Sequence, residues 1–430
     1  MSTATMARIS RPRHRLGLAS GLQHEFGLFV VAIVAIAIHV LDDNFVQPEA
    51  GTSAADHLVS GLIPVAVLGL AAWGYPRLRG GRRGAIALTL GLLGIVAGVE
   101  ALHYTSKVGA SGDDFTGLLA IPAGLGLLGL GTTTLWRTRR RGGSRARRYV
   151  RRALLGAAGA AVALFVIAPL SAGYLMAHLG RAVVPEANLG VDYEQVSFMT
   201  SDGLRLAGWY VPSRNGAAVI AFPGRNGPQA HTRMLARRGY GVLLFDRRGQ
   251  GESQGDPHAM GWEGEKDIKA GITFLQRRPD VDPERIGGLG LSVGGELMLH
   301  AAAETDALKA VVSEGAGARS VGEFRRMPYA SIDQHVVETM ITAGLTLFSN
   351  SPPPPHMHDI IGRIAPRPVF IIWATHGVDT EALNPEYFKA AGEPKTLWEI
   401  PESKHVGGLA ARPAEYERRV VGFFDRSLRP

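Results

Sequence analysis

Five long apolar stretches precede residue 180 and constrain the fold of this 430-residue chain more than any other feature. They are Phe26–Leu41, Leu58–Tyr75, Gly84–Leu102, Phe115–Trp136 and Ala153–Leu179. A helix of about 20 apolar residues crosses the hydrocarbon core of a bilayer. Glycine and alanine, which are frequent here, are the residues that closely packed membrane helices use. We therefore predict an all-α transmembrane bundle of about five helices over residues 1–180, with the lipid bilayer as its partner.

Arginines are concentrated in alternate connecting segments of this region. Four precede the first stretch, four separate the second from the third, and nine separate the fourth from the fifth. Because basic segments remain in the cytoplasm, this alternation predicts a multi-pass protein of the cytoplasmic membrane with a cytoplasmic N-terminus. The fifth helix then leads outward, so residues after 180 are predicted to be extracytoplasmic. The arginines of these connecting segments account for the net charge of +8, and we expect no nucleic-acid partner.

The pattern changes from Tyr193 to short apolar strands that alternate with helices. Ser201-Asp202-Gly203 predicts a hairpin turn, and Ala217–Phe222 and Gly241–Phe245 are continuous apolar runs typical of buried parallel strands. We predict a linker over 181–192 and an α/β domain over 193–430 whose mostly parallel sheet carries helices on both faces. Residues 317–365 interrupt the alternation and predict a cap or lid insertion.

The segment Gly290-Leu291-Ser292-Val293-Gly294 fits a G-x-S-x-G nucleophile elbow. An apolar run precedes it and a helical pattern follows it, which is the strand–turn–helix context that the motif requires. The sharp turn would raise the hydroxyl of Ser292 above the sheet, and the amide of Val293 would form one half of an oxyanion hole. The chain has no cysteine, which excludes a thiol nucleophile, disulfides and thiolate metal sites.

Two further motifs accompany the elbow in chain order. Phe222-Pro223-Gly224-Arg225 follows the third predicted strand, and Asp246–Ser253 reads D-R-R-G-Q-G-E-S. Together with the elbow they make residues 193–428 resemble the α/β-hydrolases. The resemblance is greatest to the bacterial serine hydrolases that include dipeptidyl-peptidase-like, acyl-esterase-like and dienelactone-hydrolase-like members. The resemblance does not extend to residues 1–180.

The resemblance implies the remaining catalytic residues. The base is expected in the loop after the last strand, where His405 is the histidine present. The acid is expected after the seventh strand, where Asp379 is the first choice and Glu381 the alternative; Glu314, at the end of the sixth strand, is a third possibility. The second amide of the oxyanion hole is expected from Arg225.

These residues predict a membrane-anchored serine hydrolase that cleaves an ester, or a thioester or amide, through an acyl-enzyme. The expected substrate is a small-molecule or lipid-like ester, and the chemistry needs no metal or organic cofactor. Two alternatives stay open: a serine peptidase of the same fold, and a non-catalytic membrane receptor or signalling protein with a degenerate hydrolase domain.

Overall fold

The computed structural model describes residues 13–108, 112, 114–139, 142, 144–178, 180–327, 331–377 and 379–428. The chain forms two compact units. The helical unit comprises Met1–Gln47 and Gly61–Gly156, and the sheet unit comprises Pro48–Ser60 and Ala157–Pro430. The division therefore falls within the fifth apolar stretch and not at residue 180, because the second half of that stretch packs on a helix of the sheet unit.

Four helices and the beginning of a fifth form the helical unit: α1 Arg13–Leu41, α2 Leu58–Gly74, α3 Gly80–Val108, α4 Asp114–Thr138 and α5 Arg145–Val162. A π-helical turn, Ala163–Ile167, joins α5 to α6, Ala168–Ala177, which belongs to the sheet unit. Within the described residues, five helical segments are long and apolar enough to cross a membrane, and the last of them is Arg145–Ala177.

Glycines at seven-residue spacing bring α3 and α4 into close contact. Gly84, Gly91 and Gly98 of α3 face Gly131, Gly124 and Gly117 of α4, so the two helices run antiparallel. A Cβ atom on Gly124 would lie 2.6 Å from the carbonyl oxygen of Gly91, and one on Gly91 would lie 2.8 Å from that of Gly124. Residues seven apart fall on nearly the same helix face, so the spacing produces one continuous groove for backbone-to-backbone packing.

The sheet unit is built on eight strands: β1 Glu194–Met199, β2 Arg205–Val211, β3 Ala218–Phe222, β4 Gly241–Phe245, β5 Ile286–Leu291, β6 Ala310–Glu314, β7 Val369–Trp373 and β8 Lys395–Glu399. Their order is β1-β2-β4-β3-β5-β6-β7-β8. β1 and β2 pair antiparallel, as do β2 and β4, and every later pair is parallel. The prediction of a mostly parallel sheet is confirmed.

Helices cover both faces of the sheet: α7 Gln229–Arg237, α8 Gly264–Gln276, α9 Val293–Glu304, α13 Asn384–Ala390, α14 Gly408–Ala411 and α15 Pro413–Leu428. Between β6 and β7 lie α10 Val321–Phe324, α11 Ile332–Phe348, α12 Met357–Ile360 and a 3-10 turn, Ile361–Ile364. Fully buried side chains form one apolar core on each face of the sheet. The parallel strands therefore end at one edge of a rigid platform, where α/β proteins place their functional loops.

The segment Pro48–Ser60 connects two helices of the helical unit yet packs on the sheet unit. Glu49 forms an ion pair with Arg181, with 2.6 Å between Oε2 and Nη2. The carbonyl of Ala50 accepts a 2.8 Å hydrogen bond from the amide of Gly255. The sheet unit is therefore assembled from two separate stretches of the sequence.

Candidate active site

Ser292 occupies a strained turn between β5 and α9. Its φ of 53° and ψ of −127° lie in a region that non-glycine residues rarely adopt. A Cβ atom on Gly290 would lie 2.1 Å from the carbonyl oxygen of Gly294, and one on Gly294 would lie 2.5 Å from that of Phe222. Only glycine fits at either position, so the spacing of the motif follows from the tightness of the turn.

His405 lies within hydrogen-bonding distance of this serine. Its Nε2 atom is 2.8 Å from Ser292 Oγ, although the two residues are 113 positions apart in the chain. The next residue, Val406, has a φ of 49°, which a β-branched side chain rarely tolerates. The backbone is thus strained at Ser292 and at Val406, next to His405, as is common at functional sites.

Glu381 is a carboxylate that contacts His405. Its Oε1 atom is 2.5 Å from His405 Nδ1, and its Oε2 atom accepts a 2.9 Å hydrogen bond from the amide of Ala374. Asp379 begins the same 3-10 turn, Asp379–Leu383, but its side chain lies outside the described residues. Among the side chains that the structure describes, the contact with His405 is made by the alternative, Glu381.

Asn384 is a residue that the sequence analysis missed. Its side-chain amide donates to the carbonyl oxygens of Glu381 and Ala316, at 2.9 and 2.7 Å, and so ties the turn that carries Glu381 to the end of β6. Gly377 leaves room for the carboxylate, because a Cβ atom there would lie 2.2 Å from Glu381 Oε1. Neither residue forms a recognisable motif, so no sequence signal pointed to them.

Glu314 does not contact His405 in this structure. Its carboxylate accepts hydrogen bonds from the amide of Gly408, at 2.7 Å, and from the hydroxyl of Tyr416, at 2.6 Å. Both partners follow His405 in the chain, on α14 and α15. Glu314 therefore anchors the segment that carries the histidine, which is a structural role.

The two expected oxyanion donors differ in their surroundings. Val293 is the first residue of α9, where backbone N–H groups have no acceptor within the helix. The amide of Arg225, by contrast, donates to Asp246 Oδ1 at 2.9 Å, and its guanidinium binds the other carboxylate oxygen. The prediction for Arg225 is therefore wrong, because the Asp246 carboxylate already occupies its N–H.

Hydrogen bonding and burial set the protonation of the site. The hydrogen bond to Glu381 raises the pKa of His405 above its usual value, and partial burial opposes the increase. Below the serine, Glu296 on α9 accepts a 2.7 Å hydrogen bond from the amide of Gly317. Burial raises the pKa of Glu296 to about 7. A nucleophile, a base and an orienting carboxylate thus lie in contact, in a chain order of Ser, Glu, His.

The sheet, the elbow and the position of the histidine define an α/β-hydrolase domain. In agreement with this fold, residues 182–363 match the S15 family of X-Pro dipeptidyl-peptidases. That match spans less than half of the 430 residues and ends before both Glu381 and His405.

Several known proteins are similar to this chain. YfhR of Escherichia coli (strain K12) is 29% identical over 254 residues, which cover 55% of this chain and 82% of YfhR. The thiohydrolase aneE of Aspergillus aculeatus is 36% identical over 131 residues, which cover 28% of this chain and 41% of aneE. The Pyrococcus furiosus esterase Pf2001 has a TM-score of 0.47 and 22% identity, covering 58% of this chain and 98% of the esterase.

Proposed function

We propose that this protein is a membrane-anchored serine hydrolase that cleaves carboxylic esters by means of Ser292, His405 and Glu381. The observation that carries the proposal is the pair of contacts at His405. One ring nitrogen is 2.8 Å from the Ser292 hydroxyl and the other is 2.5 Å from the Glu381 carboxylate. Such an arrangement activates a serine hydroxyl, which is otherwise a weak nucleophile.

The reaction follows from the roles of these three groups. Ser292 Oγ attacks the ester carbonyl carbon while His405 Nε2 takes the hydroxyl proton. Glu381 holds the proton of Nδ1 and stabilises the imidazolium that forms. Collapse of the tetrahedral intermediate breaks the C–O bond, and the imidazolium donates its proton to the departing alkoxide. Water then attacks the acyl-enzyme by the same route and releases the carboxylic acid.

The oxyanion of each intermediate needs two N–H donors. We assign one to Val293, because its amide is at the N-terminus of α9. We assign the other to the turn after β3, where the amides of Gly224 and Asn226 flank Arg225. Arg225 would hold that turn through its hydrogen bonds and ion pair with Asp246.

We further propose that the helical unit anchors the enzyme in the cytoplasmic membrane with the active site on the extracytoplasmic side. The alternation of arginine-rich segments supports this orientation. The packing of Pro48–Ser60 on the sheet unit supports it independently. That segment connects the first two predicted spans, carries no Lys or Arg, and would lie on the same side of the membrane as the domain it contacts.

A fluorophosphonate probe tests the serine hydrolase proposal directly. The full-length protein in detergent should be labelled, and it should hydrolyse p-nitrophenyl butyrate, whereas the Ser292→Ala variant should do neither. Absence of labelling in a folded wild-type protein would contradict the proposal and favour a degenerate domain. The similarity to a thiohydrolase makes an acyl thioester the second substrate to assay.

The S15 match favours one other activity, the release of dipeptides ending in proline. The same three residues could cleave an amide, since acyl transfer to serine is common to both reactions. A peptidase of this kind would hydrolyse an Ala-Pro-p-nitroanilide with higher kcat/KM than a p-nitrophenyl ester. The comparison of these two values decides between the activities.

A further inference from the structure

Helix α11 packs along the end of the last apolar helical segment. Gly173 of α6 and Gly344 of α11 lie at the crossing, and a Cβ atom on Gly173 would lie 2.3 Å from the carbonyl oxygen of Ile341. Leu170 lies against Gly344, and the rings of Tyr174 and Phe348 meet edge-on with 5.2 Å between their centroids. From Leu170–Gly344 to Tyr174–Phe348 the contact advances by four residues on both helices, so the helices run in the same direction.

The opposite face of α11 carries an exposed apolar stripe. We call Ile332, Val336, Ala343 and Leu347 the cap stripe. At about 100° per residue these four positions fall within about 60° of the helix circumference. Ile332 is 85% exposed, Val336 42% and Leu347 37%, and the intervening Ala343 is also exposed. No charged side chain of the helix lies within this arc, because Asp333, His335 and Glu338 project from other faces.

Helix α6, on which α11 packs, is the end of a candidate membrane span. The segment Arg145–Ala177, to which α6 belongs, has 33 residues, is long and apolar enough to cross a membrane, and is almost entirely unburied along its most apolar part. Val162 and Leu164 of this segment are exposed and lie before α6 in the chain. Because α11 and α6 run in the same direction, α11 begins on the side of α6 where these two residues lie. The start of α11 lies about 18 Å before Gly344 at 1.5 Å per residue, toward the arginine-rich end of the segment.

α11 is also close to the nucleophile. Its Leu345 packs in a small buried cluster with Trp262 and Ala177, and Met260 and Phe348 pack on that cluster. A Cβ atom on Gly261, between Met260 and Trp262, would lie 3.3 Å from a methyl group of Val293, the residue after Ser292. The segment Met260–Trp262 therefore contacts both the inner side of α11 and the elbow.

We infer that the cap stripe lies against lipid acyl chains and that the ester substrate reaches Ser292 from the bilayer. Transfer of such exposed apolar side chains from water to acyl chains is favourable. The inference deepens the proposed function, on which its catalytic part rests. It makes the substrate class a membrane-resident ester with a long acyl chain, such as a diacylglycerol.

Location is tested first, by a measurement that does not depend on catalysis. The chain has no cysteine, so a single cysteine introduced as Val336→Cys can be labelled with a fluorophore in the full-length protein. The control is Gln334→Cys, which is exposed two residues away on the other side of α11. In vesicles, lipids with spin labels on the acyl chains should quench position 336 more strongly than position 334. Equal quenching at both positions would overturn the inference.

Substrate entry is tested by adding one charge at the same two positions. Val336→Glu places it on the cap stripe. Gln334→Glu places it on the other face and preserves the side-chain oxygen that accepts the Ser331 amide hydrogen bond in the N-terminal capping box. Val336→Glu should reduce hydrolysis of diacylglycerol in vesicles by about tenfold or more, with p-nitrophenyl butyrate hydrolysis unchanged. Gln334→Glu should change neither rate.

Each outcome bears on a different claim. Equal rates for Val336→Glu and Gln334→Glu on the vesicle substrate would refute entry from the bilayer while leaving the esterase proposal intact. Loss of p-nitrophenyl butyrate hydrolysis in Val336→Glu alone would also refute it, since the stripe would then support the catalytic centre itself. If the wild-type protein cleaves neither ester, the proposed function fails, and the quenching result still decides where α11 lies.

Discussion

Glu381→Gln is the substitution whose effect can be derived most fully from the geometry at His405. Oε1 of Glu381 accepts a hydrogen bond from the histidine ring, and Oε2 accepts one from the amide of Ala374. A glutamine has one acceptor oxygen and one NH₂ donor. If its NH₂ group faces Ala374, two donors oppose each other in a buried position. If it faces His405, it stabilises the tautomer that carries its proton on Nε2, which cannot accept the proton of Ser292.

The expected loss is large in either orientation. An amide in place of a triad carboxylate lowers kcat by about 10⁴-fold in a well-studied serine protease, and the contacts of Glu381 predict a loss of similar order. The pH dependence gives a second signature. Because the base must be neutral, activity falls as the pH drops through the pKa of His405, which its hydrogen bond to Glu381 raises. Removing the carboxylate should therefore move the acid limb to lower pH.

The assay is kcat/KM for p-nitrophenyl butyrate between about pH 5 and 9, which reports ionisations of the free enzyme. The matched control is Asp379→Asn, which removes a carboxylate two residues away in the same turn and should cost less than about threefold. A greater loss for Asp379→Asn than for Glu381→Gln would refute the assignment. An unchanged acid limb in Glu381→Gln would show that His405 is not the titrating base.

Three other predictions concern the nucleophile, the helix packing and the topology. Ser292→Ala should lower ester hydrolysis by at least about 10³-fold without altering the circular dichroism spectrum; retention of a substantial part of the activity would exclude Ser292 as nucleophile. Gly124→Ala should lower the melting temperature in detergent, because its Cβ would lie 2.6 Å from the carbonyl oxygen of Gly91, whereas Gly126→Ala has open space around it; equal melting temperatures would disprove this packing. Alkaline phosphatase fused to the C-terminus should be active in cells and inactive when inserted between α4 and α5; the opposite pattern would place the hydrolase domain in the cytoplasm.

The parts of the fold that were predictable from sequence are those governed by local pattern. Continuous apolar runs such as Ala217–Phe222 are typical of buried parallel strands, and the structure has β3 at Ala218–Phe222. The elbow is similarly local, because its glycines are required by atoms within the turn and in the adjacent strand. Such features need no knowledge of which distant segments come together.

The carboxylate that contacts His405 could not be chosen from the sequence because the choice depends on the conformation of a short turn. Successive residues of a 3-10 turn point about 120° apart, so the direction of Asp379 or Glu381 is decided by where the turn begins. Asn384 fixes this start by binding Ala316, which is 68 residues away in the chain. Arg225 was misassigned for a similar reason, since Asp246 reaches its amide from a different loop.

The packing of Pro48–Ser60 on the sheet unit also has a consequence for synthesis of the protein. Glu49 and Ala50 leave the ribosome well before their partners Arg181 and Gly255, so the sheet unit is completed against a segment that was synthesised earlier. A truncated chain beginning at residue 181 would leave Arg181 without this carboxylate. We expect such a truncation to express poorly and to unfold more readily than the full-length protein, because the sheet unit would lack the contacts that Pro48–Ser60 provides.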